Sequence, residues 1–201
     1  NVLEMCSRLV ILFAVITLVG LNGIHKKTWA ALFTTLIVLV MIMGIFDVVI
    51  HHAEDLDYST MEYLGSIENP DEIFHAEILL SGLGAIMDVA VAISVALSEI
   101  VEQKPEVKFV ELFRSGREIG YDIMGTMINV LLFVFGCGLI PTCLIRMNNE
   151  VRFVTIVKLH IPCELCRFFV ESIGIVLAIP VSIFITAVMM KLSVKKREKR
   201  C

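Results

Sequence analysis

Residues 73–100 read IFHAEILLSGLGAIMDVAVAISVALSEI, an apolar run with Asp88 near its middle. A helix of this length extends about 42 Å at about 1.5 Å per residue, which exceeds the hydrocarbon core of a bilayer, about 30 Å thick. The sequence therefore predicts an all-α, polytopic bundle of about five transmembrane helices in one transmembrane domain over residues 1–201. Four further apolar runs complete the set, at residues 9–24, 29–50, 119–145 and 168–190.

The composition excludes several classes of protein. Hydrophobic residues make up 57% of the 201 residues, and the mean hydropathy is +0.85, whereas soluble domains are about 45–50% apolar. The net charge of −4 argues against nucleic-acid partners, because such proteins present a basic face. The six cysteines are scattered through or beside the apolar runs, unlike the dense framework of a small secreted protein.

Basic residues beside the runs indicate the orientation, because lysine and arginine stay preferentially on the cytoplasmic side. If the basic tail at residues 191–200 is cytoplasmic, Lys26, Lys27 and the cations between the third and fourth runs lie on the same side. The acidic segment 51–71 then lies outside. We expect a multi-pass protein of the cell membrane with its N-terminus outside, its C-terminus in the cytoplasm, and membrane lipid as its first partner.

Two connecting segments mix apolar and charged residues. They are residues 101–116, between the third and fourth runs, and residues 151–165, before the fifth. Such a pattern suits an amphipathic helix lying along the membrane interface. Each segment could equally be a short connector.

Asp88 is the most prominent polar residue within the runs. Helical spacing places Ser81, Gly84, Ala85 and Ala92 on the same face as this acid. Small residues let a neighbouring helix approach closely, so we expect the carboxyl group to meet protein instead of lipid.

The fourth and fifth runs carry similar stripes. In the fourth, Asp122, Thr126, Asn129 and Gly136 share one helical face, and we expect this stripe to meet protein beside Asp88. The fifth carries a stripe from Glu171 to Thr186, with Glu171 near the outer interface. The residues expected to serve helix packing are Ser81, Gly84, Gly125, Gly174 and Pro180.

Two interpretations of the intramembrane acids remain open. An acid in hydrocarbon normally faces a bundle or a wet cavity and marks a functional site. On this view Asp88 is a proton or cation coupling site, with Asp122, Thr126 and Asn129 as further polar intramembrane residues. Alternatively, Asp88 only joins helices by a hydrogen bond to Asn129 or Thr126. For Asp122 the two views are equally favoured, and for Glu171 the packing role is preferred.

Other constellations are weaker. Asp47, His51 and Glu54 share a helical face, with His52, Asp55 and His75 nearby, but their spacing is not diagnostic of a metal site and an exposed loop is preferred. Cys163 and Cys166 form a single C-x-x-C, for which ordinary thiols are the simpler explanation. No nucleotide-binding, esterase or zinc-protease motif is present. We expect neither an enzyme nor a protein with a cofactor.

Three blocks resemble the YibE/F-like family of prokaryotic membrane proteins. They are SGLGAIMDVA at residues 81–90, SGREIGYDIMGTM at residues 115–127 and SIGIVLAIP at residues 172–180. The resemblance implies an integral membrane protein without an established biochemical activity, sometimes encoded as two chains, of which this chain is similar to the shorter.

A looser resemblance exists at the level of the fold. Five spans with an acid midway along the third look like spans two to six of an RND or SecD/SecF-type half-transporter, in which an acid in the middle of the membrane takes part in proton coupling. This analogy implies a partner chain that carries an additional helix and an extracytoplasmic domain; a homo-oligomer is the alternative. Two functions follow as hypotheses: a subunit of a transporter or permease-like complex, or a non-transporting scaffold.

Overall fold

The computed structural model describes residues 2–52 and 70–198. Each helix of this part of the chain contains an apolar window long enough to cross a membrane. The prediction of an all-α fold with about five helices able to span a bilayer is confirmed over these ranges. The helices are α1 (Val2–Asn22), α2 (Lys26–His52), α3 (Pro70–Gln103), α4 (Phe109–Asn148) and α5 (Phe153–Glu198).

The helices extend past the apolar runs at nearly every end. α1 begins at Val2 instead of residue 9, α4 at Phe109 instead of residue 119, and α5 at Phe153 instead of residue 168. Hydropathy detects only the part of a helix that suits hydrocarbon. The polar residues beside that part continue the same helix.

The connections on either side of α4 are short turns. α3 continues to Gln103 and α4 begins at Phe109, so residues 101–116 form no separate helix along the interface. On the other side, α5 begins at Phe153 and absorbs most of residues 151–165, including Pro162. Most of both segments therefore continues α3, α4 and α5, and the connections themselves are the short turns at residues 104–108 and 149–152.

α3 is the central helix and packs against the other four. Its side chains Ile86, Val89, Ile93 and Leu97 are fully buried. Asp88 therefore lies on the helix that holds the bundle together.

α3 and α5 lie side by side and run in the same direction. The Ser182 hydroxyl donates to the Ala90 carbonyl over 3.3 Å, and the hydroxyls of Ser94 and Thr186 are 3.0 Å apart. Along this contact the residue numbers of α3 and α5 increase in the same direction, so the two helices are parallel. The stripe noted in the fifth run is buried at every position, namely Glu171, Gly174, Ala178, Ser182 and Thr186.

α4 is the most peripheral helix of the described bundle. Its buried residues are Leu112, Gly116 and Gly120, all in its first third. A Cβ atom on Gly116 would lie 2.8 Å from Cγ1 of Ile183 on α5. These glycines let α4 approach α5 closely and thereby set which side of α4 faces the bundle.

Candidate functional site

A groove with a volume of about 410 Å³ opens between α3, α4 and α5. We call it the polar groove. Its ionisable residues come from α3 and α5, whereas α4 contributes only apolar side chains. The lining consists of Ser81, Gly84, Ala85, Asp88, Met127, Val130, Leu131, Val134, Phe135, Glu164, Arg167, Phe168 and Glu171.

Asp88 lines this groove next to the small residues predicted to share its face. Ser81, Gly84 and Ala85 also border the groove, so the small side chains leave space in front of the acid. Within the described ranges, no side chain donates a hydrogen bond to Asp88 and no cation pairs with it. Its carboxyl group is therefore available to water or to an ion that enters the groove.

Glu171 is the most deeply buried acid among the described residues, with 7% of its surface exposed. The Ser81 hydroxyl of α3 donates a hydrogen bond to its Oε1 atom. Sequence patterning preferred a packing role for Glu171 near the outer interface. The structure places it in the lining of the polar groove with Asp88, where the hydrogen bond from Ser81 joins α3 and α5.

Arg167 is surrounded by three glutamates. It forms ion pairs with Glu77 of α3 and, over 2.5 Å, with Glu164 of its own helix. Its Nε atom is also 4.0 Å from Oε1 of Glu171. With all four groups ionised, this cluster carries a net charge of −2, and Asp88 adds a further negative charge to the same groove.

Sequence reasoning did not single out Arg167, Glu164 or Glu77. A usable signal was present, because Glu164, Arg167 and Glu171 are spaced three and four residues apart and so share one helical face. The spacing of Glu77 and Ser81 is likewise that of one turn on α3. The sequence does not show that this face of α5 and this face of α3 lie against each other.

The stripe of Asp122, Thr126 and Asn129 lies elsewhere. All three residues are exposed, and none lines the polar groove. They were expected to share an interface with Asp88, but α4 turns Met127, Val130 and other apolar side chains toward it. The reason is the contact at Gly116 and Gly120, which fixes the rotation of α4 about its axis.

The residues expected to serve packing occupy different environments. Gly174 is buried, and a Cβ atom there would collide with the Ile42 side chain of α2. Gly84 and Gly125 have no atom within 4 Å of such a Cβ position, and Pro180 is exposed. Among the described residues, the close helix approach occurs at Gly174 but not at Gly84 or Gly125.

The last part of α2 and the first part of α3 are joined by Asp47 and His75, whose Oδ1 and Nε2 atoms are 2.7 Å apart. Glu54 and Asp55 lie outside the described residues, as do the side chains of His51, His52 and Cys163. Among the described residues, no group of three or more metal-binding side chains is close enough to hold an ion.

Comparison with known proteins gives one match. The model of the YibE/F-like protein family matches residues 1–192. Neither the curated proteins nor the solved structures yield a match. Together with five helices long and apolar enough to cross a bilayer, the family match makes this a multi-pass membrane protein. The chain belongs to the YibE/F-like protein family.

Proposed function

We propose that the protein is a subunit of a transporter or permease-like complex in the cell membrane and that Asp88 is its proton or cation coupling site. The observation that carries this proposal is the position of Asp88 in an open groove that also contains Glu164, Arg167 and Glu171. Intramembrane ionisable residues that face a cavity commonly mark ion or proton pathways.

The electrostatics of the groove support a cation or a proton as the coupled species. Three glutamates surround the single cation Arg167, so its charge is already more than balanced before Asp88 is counted. In surroundings of low dielectric constant, the excess negative charge attracts a cation more strongly than it would in water. Arg167 also pairs with the glutamates, which leaves Asp88 as the acid of the groove lining that has no partner among the described residues.

The proposed mechanism depends on whether the Asp88 carboxyl group is dry or in contact with water. Such a group is more stable when neutral in a dry site and ionises when water reaches it. Alternating access of the groove to the two sides of the membrane would load a proton on one side and release it on the other. The small residues Gly84 and Ala85 beside Asp88 leave room for that access.

The assembly that we propose follows an analogy with half-transporters of the RND or SecD/SecF type. On this model the N-terminus lies outside and the C-terminus in the cytoplasm. A second membrane chain supplies the additional helix and the extracytoplasmic domain, with a homo-oligomer as the alternative. The support is an analogy of span number and acid position.

The experiment is a proton-flux measurement in liposomes that contain the complex purified from its native membrane in mild detergent. Vesicles hold a pH-sensitive dye, and an imposed pH gradient drives the flux, with and without sodium or potassium. We expect Asp88→Asn to lower the rate at least tenfold. Glu99→Gln is the matched control, because it makes the same acid-to-amide change at an exposed residue of the same helix, outside the groove. Equal fluxes for wild type and Asp88→Asn would remove Asp88 from the mechanism.

A non-transporting scaffold is the second candidate. The hydroxyl contact between Ser94 and Thr186 favours it, because this buried polar pair joins helices and has no access to the groove. In a scaffold, Asp88→Asn would preserve both assembly and thermal stability, because Asp88 makes no hydrogen bond or ion pair with the described residues that the change would remove. Gly120→Leu would disrupt assembly by separating α4 from α5.

A further inference from the structure

The exposed side of α4 carries a row of polar residues at helical spacing. Glu118, Asp122, Thr126 and Asn129 follow one another at intervals of three or four residues and are all exposed. We call this row the α4 polar stripe. We propose that it is the interface for a transmembrane helix of another chain that carries a lysine or arginine at the level of Asp122.

The stripe faces away from the rest of this chain. At about 100° per residue, it lies roughly 145° around α4 from the buried glycines Gly116 and Gly120. Gly125 borders the stripe and has nothing within 4 Å of its Cβ position. No other described helix covers this surface.

The depth of the stripe makes lipid an unfavourable neighbour. Asn129 is ten residues beyond Ile119, where the apolar run of α4 begins. This separation corresponds to about 15 Å along the helix, half of a hydrocarbon core about 30 Å thick. Within the described ranges the Asn129 amide has no hydrogen-bond partner. A side-chain amide at that depth requires a partner from protein, because hydrocarbon supplies none.

The charges on the stripe identify the kind of partner. Glu118 and Asp122 are both acidic, and Arg114 of the same helix pairs with Glu118, with its Nε atom 3.3 Å from the Oε1 atom. Arg117 instead lies over the ring of Tyr121, 6.0 Å from its centroid. Among the described residues no cation reaches Asp122. A cationic side chain from outside the chain would complement this acid.

The same charges disfavour a second copy of this chain. In a dimer with its two-fold axis along the membrane normal and beside this stripe, the two copies of α4 meet at the same level, so residues near the axis oppose their own copies. Asp122 would then face Asp122, and Glu118 would face Glu118, with like charges close together at the membrane boundary. A different helix supplies the opposite charge and a hydrogen-bonding group for Asn129, and the open surface at Gly125 lets its backbone approach closely. This interface is required by a scaffold as much as by a transporter, so it does not depend on Asp88.

Site-specific photo-crosslinking in the native membrane tests the proposal. A photoreactive phenylalanine analogue replaces Thr126 in the full chain, and mass spectrometry identifies the crosslinked peptide. The control places the same analogue at Ile37, which is 44% exposed on α2 and lies at a comparable depth. We expect the Thr126 probe to capture a transmembrane peptide of another chain with a lysine or arginine within one turn of the level of Asp122. We expect the Ile37 probe to give lipid adducts.

A charge exchange completes the test. Asp122→Lys is expected to lower the yield of that crosslink at least tenfold, and replacing the partner's cation by aspartate is expected to restore it. The variant must elute from size exclusion as wild type does, which is expected because Asp122 is exposed. Lipid adducts alone at Thr126, a crosslink to α4 of a second copy, a captured helix without a cation, or an unchanged yield in Asp122→Lys would each overturn the proposal.

Discussion

The Ser81 hydroxyl of α3 donates a hydrogen bond to the carboxylate of Glu171, which lies ninety residues later on α5. The accepting side chain is almost completely buried. This contact ties the two parallel helices together at the polar groove. It also supplies a hydrogen-bond donor that hydrocarbon cannot provide.

Replacing Ser81 should therefore weaken the bundle. In Ser81→Ala the Glu171 carboxyl loses its hydroxyl donor, and we expect the free energy of unfolding to fall by about 1 kcal/mol, as for other interhelical hydrogen bonds in membranes. Titration with sodium dodecyl sulfate in mixed micelles measures this change. Ser172→Ala is the control, because that hydroxyl donates 2.8 Å to the Phe168 carbonyl of its own helix. Equal stabilities of the two variants would contradict an interhelical role for Ser81.

Removing Arg167 should have a larger effect. In Arg167→Met three glutamates lose their shared cation, and loss of one partner from a buried pair costs about 3–5 kcal/mol. Since the arginine is partly exposed, we expect the lower end of that range. Arg114→Met is the control, because its pair with Glu118 is exposed and such pairs contribute about 0–1 kcal/mol. Thermal denaturation in detergent compares the two, and a similar loss in both would show that the Arg167 cluster is not structural.

Arg167 also shows where prediction from sequence stops. Hydropathy located the apolar part of each helix, because that signal is a property of consecutive residues. Helical spacing put Asp88 with Ser81 and Gly84, because neighbours three and four residues apart share a face. The meeting of Glu77 with Arg167 is a property of two helices ninety residues apart, and no local pattern encodes it. The rotation of α4 likewise depends on the packing of Gly120 against Ile179, so the stripe at Asp122 was assigned to the wrong neighbour.

Gly120 should tolerate no larger side chain. A Cβ atom there would collide with Cγ2 of Ile179, and overpacking of a close contact costs about 1–3 kcal/mol. We expect Gly120→Val to lower the free energy of unfolding by about 3 kcal/mol or more, the upper end of that range. The same detergent titration measures this change. Gly125→Val makes the identical change on α4 where nothing lies within 4 Å, and its stability should match wild type. Ile179→Ala should partly rescue Gly120→Val, since it removes the colliding group.

The hydroxyl pair of Ser94 and Thr186 allows a double-mutant test of the contact between α3 and α5. Both residues are fully buried and their oxygen atoms are 3.0 Å apart. Ser94→Ala and Thr186→Val each leave one hydroxyl without its interhelical partner, whereas the double variant leaves none. We expect a coupling energy of about 0.5–1 kcal/mol, at the lower end of the range for residues in contact, because interhelical hydrogen bonds in membranes contribute modestly. Thr34 provides the control, because its hydroxyl donates 2.9 Å to the Ala30 carbonyl within α2. Ser94→Ala and Thr34→Val should therefore combine additively, and additivity in the first pair as well would mean that Ser94 and Thr186 do not bond each other.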